Sequence, residues 1–238
     1  MARRALVTGS ARGIGRAILL KLAEEGLEGA VHYRKSREDA ESTRREAEAL
    51  GVRAVLVSGD VASPEGAARV VGEAARELGG LDVLVHNVGD YLYKPIEEVG
   101  PGEWRAIFAS NLDSAFYLTQ AALPHLRQGG RGKRVLYLGY AGAGQMVAKP
   151  QIAPYFIAKT GVLLLAKAYA KRFAGEGITF NVVAPGVAEN SVTKPLREIP
   201  MGRVAKLEEL ARAAWFFVDE AAEYLTGQVL EVAGGWNL

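Results

Sequence analysis

The 238-residue chain contains no cysteine, which excludes disulfides, thiolate nucleophiles and thiolate metal sites. Histidine is scarce as well: His32, His86 and His125 are scattered without ligand spacing, so no metal is expected. No apolar run approaches the length of about 18 residues or more that a membrane-crossing helix requires. The opening Met-Ala-Arg-Arg-Ala-Leu-Val-Thr-Gly runs straight into a strand pattern, so no signal peptide is expected. An excess of one charge is also missing. Lys and Arg number 29 against 27 Asp and Glu, a balance of +2 that implies neither a nucleic-acid nor a membrane partner. There is no internal repeat, low-complexity segment or linker. A cytoplasmic protein with a small-molecule partner is expected. What is present is ordinary for a soluble globular chain, 49% hydrophobic and 24% charged, and its length suits one large α/β domain. The richness in Arg, Glu and Ala is thermophile-like.

Strand and helix patterns alternate from end to end. Ala5-Leu6-Val7 is a short apolar run, and Ile14, Ile18, Leu19 and Leu22 then recur at helical spacing. Between them lies Thr8-Gly9-Ser10-Ala11-Arg12-Gly13-Ile14-Gly15. Its glycines permit unusual dihedrals and close approach of a ligand, and the helix start behind them offers free N–H groups and a positive dipole end to a pyrophosphate. The second strand, 29–33, leads into Arg34-Lys35-Ser36 with no carboxylate before Glu38. An acid there would bind the ribose hydroxyls of NAD; Arg34 instead accommodates a 2′-phosphate, with Arg12 as a second cation, so NADPH/NADP+ is favoured over NAD. A charged helix over 36–50 and a third strand over 53–57 follow. That strand leads to Asp60-Val61, where a carboxylate and a following N–H read an adenine edge, or Asp60 simply forms an Asx turn.

Helix Pro64–Leu78 precedes strand Val83–His86, which opens into Asn87-Val88-Gly89. Asn87 braces the central strand and Gly89 lets a cofactor pass close to the backbone. Residues 103–126 read as one long helix containing Asn111, an amide that must find partners when buried and that suggests a structural water or a proton relay. A fifth strand over 134–138 exits into Gly139-Tyr140-Ala141-Gly142-Ala143-Gly144, and a sixth over 179–183 leads to Pro185-Gly186. Residues 187–206 show no regular period and are expected to form a substrate lid. Helix Leu207–Val218, strand Val229–Val232 and an apolar stretch over 234–238 complete the chain; that stretch packs in its own core or at a subunit contact.

The stretch with the most chemistry is Pro154-Tyr155-Phe156-Ile157-Ala158-Lys159, opening a long apolar run. Proline is preorganised for a first helical turn, so Tyr155 sits near a helix start with Lys159 one turn on, on the same face. A phenol ordinarily titrates near pH 10, roughly. A neighbouring ammonium favours the phenolate and lowers that value, which suits proton transfer to or from a carbonyl or alcohol oxygen.

The expected fold is α/β: a doubly wound, Rossmann-like parallel sheet of about seven strands in a single domain, with its ligand at the strands' carboxyl ends. With Thr8-Gly9-x-x-x-Gly13-x-Gly15, Asp60-Val61, His86-Asn87-Val88-Gly89, Asn111, Tyr155-x-x-x-Lys159, Asn181-x-Val183-x-Pro185-Gly186 and Tyr224-Leu225-Thr226-Gly227-Gln228 in that order, the chain resembles the short-chain dehydrogenase/reductase family over essentially its whole length. The resemblance implies an NADP(H)-dependent oxidoreductase that interconverts a carbonyl and an alcohol, similar to 3-oxoacyl-carrier-protein reductases or pteridine reductases and working on CH–OH or CH–NH groups. It implies Tyr155 as general acid or base, Lys159 as the group that lowers its pKa and holds the nicotinamide ribose, and Asn111 as anchor of a relay water. It also implies that the Pro185-Gly186 backbone contacts the nicotinamide, and that the protein is a homotetramer. Two departures matter. The serine the family carries about a dozen residues before the tyrosine is missing; Tyr140 takes its place if the loop holds a short insertion, Gly142 on a strict count. Tyr140 either donates the same hydrogen bond or blocks the pocket, and loss of the serine leaves a non-catalytic NADP-binding sensor or scaffold as the alternative. Asn190 stands where the family often has Thr. In the lid, Lys194, Arg197 and Arg203 would attract an anionic substrate.

Overall fold

Seven strands build one fully parallel sheet in the computed structural model, which describes residues 2–130 and 132–237. They are β1 (Arg4–Val7), β2 (Glu28–Tyr33), β3 (Ala54–Ser58), β4 (Val83–His86), β5 (Lys133–Leu138), β6 (Ile178–Pro185) and β7 (Val229–Val232). Their spatial order is β3-β2-β1-β4-β5-β6-β7. The helices are α1 (Gly13–Glu24), α2 (Arg37–Ala49), α3 (Pro64–Leu78), α4 (Pro101–Phe108), α5 (Ser114–Gln128), α6 (Ala153–Phe173) and α7 (Leu207–Val218). Met1 and Leu238, the ends of the two terminal stretches read from sequence, lie outside the described residues.

The strands read as continuous apolar runs because both faces of the sheet are covered. Successive side chains alternate between two cores. Leu6, Leu84, Val135, Tyr137 and Phe180 face α3, α5 and α6. Val7, Val85, Leu136, Leu138 and Val183 face α1, α2 and α7. The chain winds outward from β1 in one direction and from β4 in the other, so the strand order reverses between them. Crevices for ligands open at such a reversal, beyond the carboxyl ends. Register Val7↔Val85 sets the two exits side by side. There the Asn87 N–H donates to Thr8 Oγ1 at 3.0 Å, and Asn87 Nδ2 donates to the Thr8 carbonyl at 2.9 Å.

The long helix expected over 103–126 is instead two, α4 and α5, joined by a π-helical turn at 109–113. The cause is local. Asn111 Nδ2 donates to the Ile107 carbonyl one turn back, at 3.0 Å, and to the Asp90 carbonyl at 2.9 Å. Ser114 Oγ donates to the Ser110 carbonyl at 2.7 Å. Side chains that compete for ladder carbonyls widen the turn, and π-turns of this kind gather at functional sites.

The segment 187–206 is irregular but anchored. Ala188 and Ala205 form a parallel bridge, and Glu189 N–H donates to the Ala205 carbonyl at 3.0 Å. Between them lie a 3₁₀ turn at Leu196–Glu198 and the buried Ile199. Among the described residues, no helix is long and apolar enough to cross a membrane, and no group of His, Asp and Glu is placed to hold a metal ion.

Candidate active site

Two cavities open beyond the strand ends and meet at Asn87 and Gly89. The first, about 380 Å³, spans the exits of β1, β2 and β3; Gly9, Arg12, Arg34, Lys35, Ser36, Asp60 and Val61 line it. The turn before α1 is built for close approach. Gly9 and Gly13 have φ of +65° and +60°, which a side chain rarely adopts. A Cβ on Gly15 would lie 2.5 Å from the Gly9 carbonyl, so only glycine lets the helix pack against the turn. No side chain caps α1 and no acid occupies its first turn, leaving its opening N–H groups and dipole end free for an anion. The cations expected on a 2′-phosphate are here. Arg34 Nη1 stands 3.4 Å from Asp60 Oδ2, but both side chains are more than half exposed, so the pair is weak and open to competition by a phosphate. Asp60 Oδ1 also accepts from the Ala62 N–H at 3.0 Å, the Asx turn that the sequence left as an option.

Ser10 is placed differently from the expectation. It is fully buried; its hydroxyl donates to the Val7 carbonyl at 2.7 Å and accepts from the His32 N–H at 3.0 Å, so it braces the turn instead of facing the cavity. His32 is a second brace. The Gly9 N–H donates to its Nδ1 at 2.9 Å, which fixes the proton on Nε2, from which it donates to the Gly59 carbonyl at 3.1 Å. Burial lowers its pKa to about 4. The sequence read this histidine as structural; what it could not show is that the structure it holds is the wall of the first cavity.

The second cavity, about 300 Å³, lies over β4, β5 and β6. It gathers Ile14, Tyr140, Tyr155, Lys159, Pro185, Gly186 and Asn190 from four separate stretches of chain. Asn190 also closes on the glycine turn, where a Cβ on Gly13 would lie 3.0 Å from its Nδ2. Lys159 is buried, 3% exposed, and its Nζ donates to the Leu138 carbonyl at 2.8 Å. Nζ sits 5.6 Å from the centre of the Tyr155 ring, and burial lowers the Lys159 pKa to about 8. The Tyr155 shift runs opposite to the acidification expected from the sequence. Burial, with Tyr140 and Tyr91 close by, pushes its hydroxyl above the ordinary phenol value. Desolvation disfavours the charged phenolate and is the largest cause of the rise.

Asn111 is fully buried, and its Oδ1 has no partner. That oxygen lies directly beneath the cavity wall, for a Cβ on Gly89 would sit 2.2 Å from it. An unpaired buried acceptor at this place calls for a donor, as a bridging water would provide. Tyr140 brings its ring into the wall and sets its hydroxyl against the Asn237 side chain, with its pKa pushed up to about 12 by burial. Of the cations in the 187–206 segment, neither Lys194 nor Arg197 lines this cavity, and Arg203 is held by Glu209 at 2.7 and 2.8 Å.

Sequence reasoning missed Tyr91 and the part played by Trp236. Tyr91 stands edge-on to Tyr155, ring centres 5.0 Å apart, with its hydroxyl beside Thr193 of the irregular 187–206 segment. Its position just past the exit of β4 was the available signal. Trp236 completes the wall from the C-terminal stretch, 5.7 Å from Tyr140.

Residues 9–237 match the protein-family profile described as Enoyl-(Acyl carrier protein) reductase. The chain is 35% identical over 244 residues to 3-oxoacyl-(acyl-carrier-protein) reductase FabG of Staphylococcus aureus, with 99% of this chain and 98% of that protein covered. Among solved structures, a putative short-chain alcohol dehydrogenase from Sinorhizobium meliloti superposes with a TM-score of 0.92 at 35% identity, covering 99% of this chain and 97% of its own. A short-chain dehydrogenase from Burkholderia cenocepacia in complex with NADP gives 0.92 at 30% identity, covering 99% and 98%.

Proposed function

This chain belongs to the short-chain dehydrogenase/reductase family, and from that premise we propose that it interconverts a small-molecule carbonyl and its alcohol with NADP(H). The observation that carries the reading is the convergence of Tyr155, Lys159 and the Pro185-Gly186 backbone on one cavity, joined to a second that holds Arg12, Arg34, Lys35 and the open start of α1. The NADP in the Burkholderia cenocepacia neighbour supports the same cofactor. The residues fit it: the glycine turn leaves room for a pyrophosphate against backbone N–H groups, and the two cations with Arg12 suit a 2′-phosphate. When bound, NADPH supplies the hydride.

The chain's own part is to orient and to move a proton. Tyr155, with a raised pKa, keeps its proton at neutral pH and delivers it to the substrate oxygen as charge develops there. The resulting phenolate is stabilised by the Lys159 ammonium behind the ring. Asn111 Oδ1 holds the water that returns a proton toward Lys159. A pure binder would gain from an apolar residue in place of the buried Lys159, because burial of its charge costs stability below about pH 8. By this chemistry Tyr155 serves a 3-oxoacyl thioester and a pterin-like ring equally; the shape of the cavity separates them.

Replacing Arg34 and Lys35 together by Ala should weaken NADPH binding by at least about tenfold, with NADH binding unchanged. Fluorescence titration of both cofactors reads this, and equal losses for the two would remove the 2′-phosphate assignment. The homotetramer belongs to the same proposal. Trp104 on α4, Phe116 on α5, and Ile157 and Leu164 on α6 stay 37% to 64% exposed, more apolar surface than an isolated subunit needs. Light scattering on the eluted protein should give four times the subunit mass, and a monomer peak would discard that part.

A further inference from the structure

We infer that the carbonyl taken by the second cavity is carried on a planar, conjugated ring and not on a flexible acyl chain; this rests on the carbonyl-reductase reading above. Three aromatic side chains from three separate segments wall the space around Tyr155. Tyr91 meets Tyr155 at 82°, Tyr140 meets it at 85° with ring centres 5.6 Å apart, and Tyr140 meets Trp236 at 82°. Each pair is edge-to-face, the arrangement aromatic quadrupoles prefer, and a flat conjugated ligand extends the same pattern where a methylene chain does not. The volume agrees. The cavity is about 300 Å³ and must also take the nicotinamide against Pro185-Gly186, so what remains is a slot. The Tyr140 ring stands in the wall between Tyr155 and Trp236, where it narrows the slot and adds to its aromatic surface.

The slot is preformed. Asn237 holds a left-handed backbone, φ 61°; its Nδ2 donates to the Ala141 carbonyl at 3.1 Å, its Oδ1 accepts from Lys149 Nζ at 3.2 Å, and its carbonyl accepts from Gln145 Nε2. The Gly142 N–H donates to Glu231 Oε1 at 2.9 Å. Rigid walls favour a ligand that has no rotors to freeze. Charge points the same way. Among the described residues, Lys159 is the single cation lining the cavity, so nothing there is set to hold the anionic arm of a carrier-bound thioester.

In the step itself the carbonyl carbon accepts a hydride from the reduced nicotinamide, the C=O π pair moves to oxygen, and oxygen takes the Tyr155 proton, which water restores. Ketone, NADPH and one proton become alcohol and NADP+.

The test uses the full chain with isatin as the ring probe and a 3-oxobutanoyl thioester of N-acetylcysteamine as the chain probe. With NADPH, kcat/KM for isatin should exceed that for the thioester by at least about tenfold. Calorimetric titration of the NADP+-loaded protein should show binding of isatin, weakened about fivefold or more by Trp236→Leu and by Tyr91→Leu, with NADPH affinity unmoved. A thioester equal to or better than isatin, in turnover or in binding, overturns the inference while leaving the carbonyl-reductase reading intact. Isatin bound selectively but never reduced, alongside an inert thioester, upholds the slot and sinks the reductase reading.

Discussion

Tyr155→Phe should lower turnover by about 10²–10⁴-fold while NADPH affinity stays within about threefold of the parent. The expectation follows from what the ring does besides carrying a hydroxyl. Its edge and face pack against Tyr91 and Tyr140, contacts that phenylalanine preserves, so the cavity keeps its shape and only the proton donor goes. The two phenols packed on it are turned to other partners: that of Tyr140 lies against Asn237 and that of Tyr91 beside Thr193. Single-turnover reduction with preloaded NADPH isolates the chemical step from cofactor release. Turnover within tenfold of the parent would mean that the proton comes from elsewhere, and the role assigned to Tyr155 would have to be withdrawn.

The second large effect is on stability in acid. His32 and His86 are buried, and desolvation lowers their values to about 4 and about 3; the Lys159 ammonium adds to the lowering at His86. In the unfolded chain both titrate at the ordinary value, near 6.5. Between the folded and unfolded values the unfolded state binds more protons, so stability rises with pH across that interval. The contribution is therefore complete above about pH 6.5 and is lost as pH falls toward 4, by roughly 3 kcal/mol for each histidine. That is a large share of the total of about 5–15 kcal/mol typical of a folded protein. Urea midpoints taken from pH 8 down to pH 4 should fall steeply, and His32→Asn, whose side-chain oxygen still accepts from the Gly9 N–H, should flatten the slope. An unchanged slope in that variant would remove His32 from the account. Lys159 acts in the alkaline range. Its folded value of about 8 lies below the unfolded one, so its burial penalty is full below pH 8 and fades as pH rises beyond it.

The architecture and much of the cleft were legible because the signals are local. Gly9, Gly13 and Gly15 between an apolar triplet and a helical period mark a strand-turn-helix; Pro154 marks the start of the helix that carries Tyr155 and Lys159; Arg34 follows directly on a strand. What escaped depends on distance in three dimensions. The raised Tyr155 value comes from desolvation by segments far apart in sequence, and proximity to Lys159 alone pointed the other way. The break between α4 and α5 comes from Asn111 reaching the Asp90 carbonyl 21 positions earlier, a bond no helical period encodes. Ser10 turned inward because β2 supplies a donor, the His32 N–H. Arg203 was drawn from the expected substrate path by Glu209, six positions on. The Tyr91, Tyr140 and Trp236 wall joins loops whose mutual placement only the folded sheet decides.

The neck at Asn87 and Gly89 divides the cleft into two rooms with opposite tastes, one lined by Arg12, Arg34 and Lys35, the other by Tyr91, Tyr140, Tyr155 and Trp236. A half-molecule such as adenosine 2′,5′-bisphosphate can therefore lodge in the first while the second stays vacant for a flat fragment. Tethering two such pieces through the neck converts the second capture into an intramolecular event, so modest fragments become a tight inhibitor without any new contact.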